Sequence, residues 1–216
     1  NIAVISLIAV SLGEFGGKLI PLGSVYNEPN EVHASSVQNQ YVSNWAKPYV
    51  DAMYSSGMIP NRLKGAKSLA TNITREEFAE LITVYVEKAG TWYTPNKINT
   101  TFSDTQNPLI KTATELGIVA GMPDGTFKPM DTTNREQIAV MSQRAEKLVN
   151  KDLTSRDRVS QFKDSAQISD WAKMGVGTMA HEGAIAGMGD GTFKPKQTAT
   201  KEQAIKIVAE LAEKKG

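Results

Sequence analysis

The sequence contains no cysteine, which excludes disulfide cross-links, thiolate nucleophiles and cysteine-ligated metal. Histidine occurs only at His33 and His181, too few for a zinc site built on several imidazoles. The stretch "HEGAI" at 181–185 starts like a zinc-protease helix, but no second histidine follows, so His181 reads as a helix-surface residue near a C-terminal turn. Charge of one sign is also lacking. The net value is +1, with lysine and arginine dispersed along the chain, so no bulk field or basic block points to nucleic acid. There is no Walker loop, no G-x-S-x-G and no histidine-centred triad. "PDGT" offers one carboxylate where a calcium loop needs several. The pair Glu76/Glu77 falls in a helix first turn, where capping and the dipole account for it. We therefore assign no catalytic residue, no metal and no cofactor, and read the chain as non-enzymatic.

Long apolar runs are scarce too. The strongest, "NIAVISLIAVSL" at 1–12, is well short of the roughly 20 residues that span a bilayer. It resembles the apolar region of a secretory signal, and "VHA" at 32–34 resembles a cleavage site. Residues 1–34 are expected to be a signal-peptide-like segment removed on export, leaving no membrane contact. Two features oppose this: no basic residue precedes the run, and about 20 residues separate it from the site. A buried strand or helix is the alternative.

What is present is repetition. "GMPDGTFKP" at 121–129 returns as "GMGDGTFKP" at 187–195. Each copy is followed at the same offset by a charged triplet, Gly121 to Arg135 and Gly187 to Lys201. Trp171 precedes Lys201 by the same spacing as Trp45 precedes Arg75, which opens "TREEFAELI". Extending this register pairs Met53 with Met179, Gly57 with Gly183, Ile59 with Ile185 and Gly65 with Gly191. The middle copy joins through Gly117, Val119, Gly125 and Arg135, with Thr105 at the tryptophan position. The chain after the leader is thus an array of three units, 35–92, 93–155 and 156–216.

Each unit reads as helix, loop, helix. A first helix follows Trp45 or Trp171 and ends at Gly57 or Gly183, where glycine can adopt the left-handed conformation. The loop follows, with Asp-Gly as turn chemistry, a β-prone Thr-Phe, and Phe127 and Phe193 as core plugs that let two helices pack. The second helix opens on a capping box: Thr74 with Glu77, Asn134 with Gln137, Thr200 with Gln203. Its buried face is carried by Phe78, Leu81, Ile82 and Tyr85 in the first unit. Ile138, Val140, Met141 and Leu148 serve the second unit, and Ile205, Ile207, Val208 and Leu211 the third.

Directly after each cap stands a cation: Arg75, Arg135 and Lys201. At a helix N-terminus, where backbone N–H groups favour an anion, such a residue makes a carboxylate or phosphate receptor. A solvated charge is the plain alternative, and recurrence in register in all three units argues against it.

The order "FxD…WA…GxxDGTFKP…TRxE" is similar to the S-layer homology domain, and three tandem copies over residues 36–216 match that family's usual set. The resemblance implies a mainly α fold, three helix-loop-helix repeats arranged as a pseudo-threefold, three-pronged spindle. It implies grooves between neighbouring units that bind a secondary cell-wall polymer linked to peptidoglycan, often through a pyruvate ketal on an amino sugar. The family's basic residue of "TRAE" maps to Arg75, Arg135 and Lys201. The chain would be secreted and held in the cell wall or S-layer of a Gram-positive-type envelope, with S-layer neighbours as further partners. Loop glycines Gly121, Gly125, Gly187 and Gly191 would let backbone approach a sugar. Trp45 and Trp171 would cover a sugar face or pack in the core, and Asp104 and Asp164 would accept sugar hydroxyls or cap the local turn. The departures are specific. The first unit has "IPNRLKGAKSLATN" in place of the glycine loop and "VQNQ" in place of FxD, the second lacks the tryptophan, and the third has lysine for arginine. The grooves are therefore expected to be unequal. A protein–protein scaffold using the repeat faces is the alternative function.

Overall fold

The computed structural model describes residues 39–90 and 101–214. The signal-like segment 1–34 and the expected boundary at 92/93 lie outside the described residues. The elements in order are α1 (Lys47–Ser55), α2 (Asn61–Lys64), α3 (Arg75–Ala89), α4 (Pro108–Glu115), α5 (Arg135–Val149), α6 (Asp170–His181) and α7 (Lys201–Glu213). The fold is mainly α, and among the described residues there are only isolated β-bridges.

Local chemistry explains the helix ends. Gly57, Gly117 and Gly183 each carry φ of 66–72° one residue past the caps of α1, α4 and α6. The next N–H in each case donates to a carbonyl five residues back in the helix, as Met58 to the Met53 carbonyl, Ile118 to Ala113 and Ala184 to Met179. This closes the exposed carbonyls. All three capping boxes form on α3, α5 and α7. Every residue expected on the apolar faces of those helices is buried, as are Phe127 and Phe193. In the first unit, the segment without the glycine loop folds into the short helix α2.

Two expectations are corrected. The β-prone Thr-Phe pairs build no ladder, because the Phe127 and Phe193 N–H groups are taken by the side chains of Asp104 and Asp164. Nor do the loops fold the two helices of one unit mainly onto each other. The central helices α3, α5 and α7 pack together, and each first helix lies on the central helix of the preceding unit: α4 on α3, α6 on α5, α1 on α7. The units thus interlock cyclically around one continuous apolar core.

A small backbone ring closes the cycle. The Ile73 N–H donates to the Ala199 carbonyl (2.9 Å), Ala199 to Thr133 (3.1 Å) and Thr133 to Ile73 (3.1 Å). Each residue stands just before a capping box, so the three helix starts are held side by side.

Candidate functional site

Three grooves follow from this ring. The start of α3 meets the loop of the second unit, the start of α5 meets the loop of the third, and the start of α7 meets the corresponding segment of the first. We call them the first, second and third grooves.

At each helix start all four orphan N–H groups find protein partners. On α5, the Asn134 N–H donates to Gln137 Oε1 and the Gln137 N–H to Asn134 Oδ1. The Arg135 N–H donates to the Gln197 carbonyl (3.0 Å) and the Glu136 N–H to the Pro195 carbonyl (3.1 Å). On α3, Arg75 and Glu76 donate likewise to Asp131 and Pro129, and on α7, Lys201 and Glu202 to Thr71 and Leu69. The expected backbone anion receptor is therefore already occupied by the next unit's carbonyls. What remains for an anion is the cationic side chain and the helix field.

Arg135 and Lys201 are buried and Arg75 is half-buried, and all three side chains are held by protein partners. Arg135, 8% exposed, donates from Nε to the Phe193 carbonyl and from Nη2 to the Ala186 carbonyl, each at 2.7 Å. Its guanidinium lies 4.7 Å from the Phe193 ring centroid. Arg75 repeats the arrangement with Phe127 (3.0 Å), Ala120 (2.8 Å) and the Phe127 ring at 4.8 Å. Burial pushes both guanidinium pKa values down. Each arginine therefore grips the glycine loop of the following unit, not the one that precedes it in sequence. Lys201, 7% exposed, instead meets Thr71, the Asn72 carbonyl and the Glu77 carboxylate.

Asp104 and Asp164 act as turn caps. The Asp104 carboxylate accepts from the Phe127 and Lys128 N–H groups, both at 2.8 Å, and these bonds hold its pKa low. The Asp164 carboxylate accepts from the Phe193 (2.7 Å) and Lys194 (2.8 Å) N–H groups. The caps hold Lys128 and Lys194 at φ of 59° and 56°, a region that non-glycine residues seldom occupy. Gly125 and Gly191, at φ 80° and 84°, make the turn. Gly121 and Gly187 are needed for packing: a Cβ there would stand 2.3 Å from Phe102 and 2.9 Å from Phe162. These residues thus have sufficient structural reasons to be present.

The tryptophans are in the open, Trp45 at 48% and Trp171 at 58% exposure, so core packing does not explain them. Trp171 lies in the first turn of α6, two residues past Ser169, whose N–H donates to Glu136 Oε2 at 3.1 Å. Trp45 lies two residues past Ser43, whose N–H donates to Glu202 Oε1 at 2.6 Å. This places one tryptophan beside the second groove and one beside the third, while the first has Thr105 and Asn107, both bonded to Glu76.

These contacts give a role to two residues that the sequence reading passed over, Glu136 and Glu202, and to Glu76, which it had put down to capping and the helix dipole. Glu76, Glu136 and Glu202 are buried, and each fastens the start of the following unit's first helix. Glu136 also pairs with Lys196, and Glu76 with Arg62 at 3.0 Å. Their signal was visible: glutamate follows the basic residue in "TREE", "NREQ" and "TKEQ" alike. An open cleft of about 320 Å³ adjoins the second groove, lined in part by Asp164, Gln167, Lys194, Lys196 and Gln197. Among the described residues no cluster of three or more His, Asp or Glu could hold a metal ion.

The family model of the S-layer homology domain matches residues 108–139 and 161–205. An endoglucanase from Bacillus sp. (strain KSM-635) is 27% identical over 89% of this chain and 20% of its own length. The exoglucanase XynX of Acetivibrio thermocellus is 29% identical over 87% of this chain and 17% of its own. A cellulosome-anchoring protein of A. thermocellus is 28% identical over 63% of this chain and 31% of its own. The chain thus spans between 17% and 31% of the length of these relatives.

Proposed function

We propose that this chain is a noncovalent cell-envelope anchor, because residues 108–139 and 161–205 match the family model of the S-layer homology domain. In this reading it binds an anionic, pyruvylated secondary cell-wall polymer in the grooves between units. It thereby tethers an S-layer or other surface protein outside the membrane, and its outline is the three-pronged spindle. The relatives support anchoring over catalysis. An endoglucanase, an exoglucanase and an anchoring protein share this segment as a minor part of their length, so its role is one common to all three.

The observation that carries the glycan reading is the second groove. There a buried, preorganised guanidinium stands next to Glu136, which bonds Ser169 two residues before the exposed Trp171, with the Lys194 and Lys196 side chains lining the adjoining cleft. A planar cation suits a ketal carboxylate, and an aromatic face suits the apolar face of a sugar ring. With two of its five N–H groups on carbonyls, Arg135 keeps others to offer. Arg75 and Arg135 are the primary ligand residues in this scheme. Asp104, Asp164 and the loop glycines act by shaping the loops that the arginines hold.

The test is sedimentation with purified wall sacculi before and after acid extraction of the polymer. The anchor reading expects the protein to pellet with intact walls and to stay in solution with stripped ones. Equal pelleting with both, or recovery only with other surface proteins, favours a protein–protein scaffold instead.

A further inference from the structure

The groove reading leaves open which grooves accept an anion, and the inference here rests on that reading. The third groove differs from the other two in its charge balance. An ammonium has three N–H donors, and Lys201 Nζ has three acceptors in reach. These are the Asn72 carbonyl at 2.7 Å, Thr71 Oγ1 at 3.1 Å and Glu77 Oε2 at 3.1 Å. Its donors are saturated and its charge is neutralised by a buried carboxylate. Among the described residues neither Arg75 nor Arg135 forms an ion pair, and each spends two of five N–H groups on carbonyls. Burial does not separate the grooves, since Arg135 is as enclosed as Lys201.

The difference lies in one atom type on the neighbouring helix. Glu77 closes the capping box of α3 by accepting the Thr74 N–H at 2.8 Å, and the same carboxylate faces Lys201 across the groove. Around the ring the equivalent capping positions are held by Gln137 and Gln203, which carry no charge. A carboxylate ligand entering the third groove would have to displace Glu77 from Lys201 and leave it buried without a counter-charge, which is strongly unfavourable. We propose that Glu77 is an internal counter-ion that closes the third groove to anionic ligands, confining carboxylate binding to the grooves built on Arg75 and Arg135.

The test substitution is Glu77→Gln. It keeps the capping acceptor, as Gln137 and Gln203 do in the sister units, and removes only the charge. Native mass spectrometry counts bound molecules of a small probe, the methyl glycoside of a pyruvate-ketal N-acetylhexosamine. We expect E77Q to bind one more probe per chain than wild type, and the double variant E77Q/K201A to lose that extra site. A second arm needs no glycan: acylation of Lys201 by an N-hydroxysuccinimide acetate, read by peptide mass spectrometry, is slow in wild type and faster in E77Q. Should no form bind the probe while Lys201 is unmasked in E77Q, the anchor function fails and the counter-ion stands. The proposal is overturned by equal probe counts in folded wild type and E77Q where wild type binds, by an extra site that survives Lys201→Ala, or by equal Lys201 reactivity in both.

Discussion

Arg135→Ala is the most informative perturbation, because sequence and structure disagree about it. A cation in the first turn of a helix is normally exposed, and truncating it should leave stability almost unchanged. Here the guanidinium is buried and joins α5 to the loop of the third unit through the Phe193 and Ala186 carbonyls. A hydrogen bond to a charged group contributes about 1.5–3 kcal/mol net, and a cation over an aromatic face about 0.5–2 kcal/mol. Water reaching the freed carbonyls offsets part of this, so the expected loss is about 3–5 kcal/mol. For a chain of this size that lowers the melting temperature by about 6–20 °C. The assay is thermal unfolding by circular dichroism, with Arg135→Lys alongside, which keeps the charge but loses the planar fork and should fall between. A melting temperature for Arg135→Ala within about 2 °C of wild type would refute the claim that this side chain welds two units. Polymer affinity has to be measured well below the variant's transition, where loss of one charge-assisted contact predicts a ten- to hundredfold weakening, about 1.5–3 kcal/mol.

The exposed Trp171 should behave in the opposite way: Trp171→Ala keeps stability within about 0.5 kcal/mol while calorimetry shows weaker polymer binding, and a normal affinity would remove the indole from the site. Gly121→Ala drives a Cβ into Phe102 and should cost about 1–3 kcal/mol, read from the urea midpoint; an unchanged midpoint would mean the loop relaxes freely. The loop carboxylates of Asp104, Asp124 and Asp190 all have depressed pKa values, the last held at about 2 by the Thr192 hydroxyl. Depressed acids stabilise fully above the unfolded value and lose that contribution on acidification. Melting temperature should therefore fall as pH drops from the ordinary 3.8 towards about 2, and Asp190→Asn should flatten part of the slope. A fragment of residues 156–216 should not melt cooperatively, since α6 packs on α5 and the start of α7 leans on Thr71 and Leu69; a sharp transition would show that a unit folds alone.

Much of this protein was legible in the order of its residues. The capping boxes at Thr74, Asn134 and Thr200, the left-handed glycines at 57, 117 and 183 and the apolar stripes of α3, α5 and α7 all depend on residues within a few positions of one another. Backbone geometry alone brings such residues together, so the pattern and the structure coincide. The repeat register likewise needs only self-comparison.

Partnership between units was decided by the tertiary structure. The sequence places Arg135 beside the glycine loop at 121–129, yet the structure turns it to the loop at 186–193, because its helix start docks on the next unit's carbonyls. The same long-range docking buries Glu136 against Ser169 and Lys196, exposes Trp171, and sets Glu77 across from Lys201. None of these pairs is closer in sequence than 33 residues. A local motif is compatible with its own unit or a neighbour as partner. Only closure of the ring, with every first-turn N–H satisfied and the apolar faces of three units buried together, selects the neighbour.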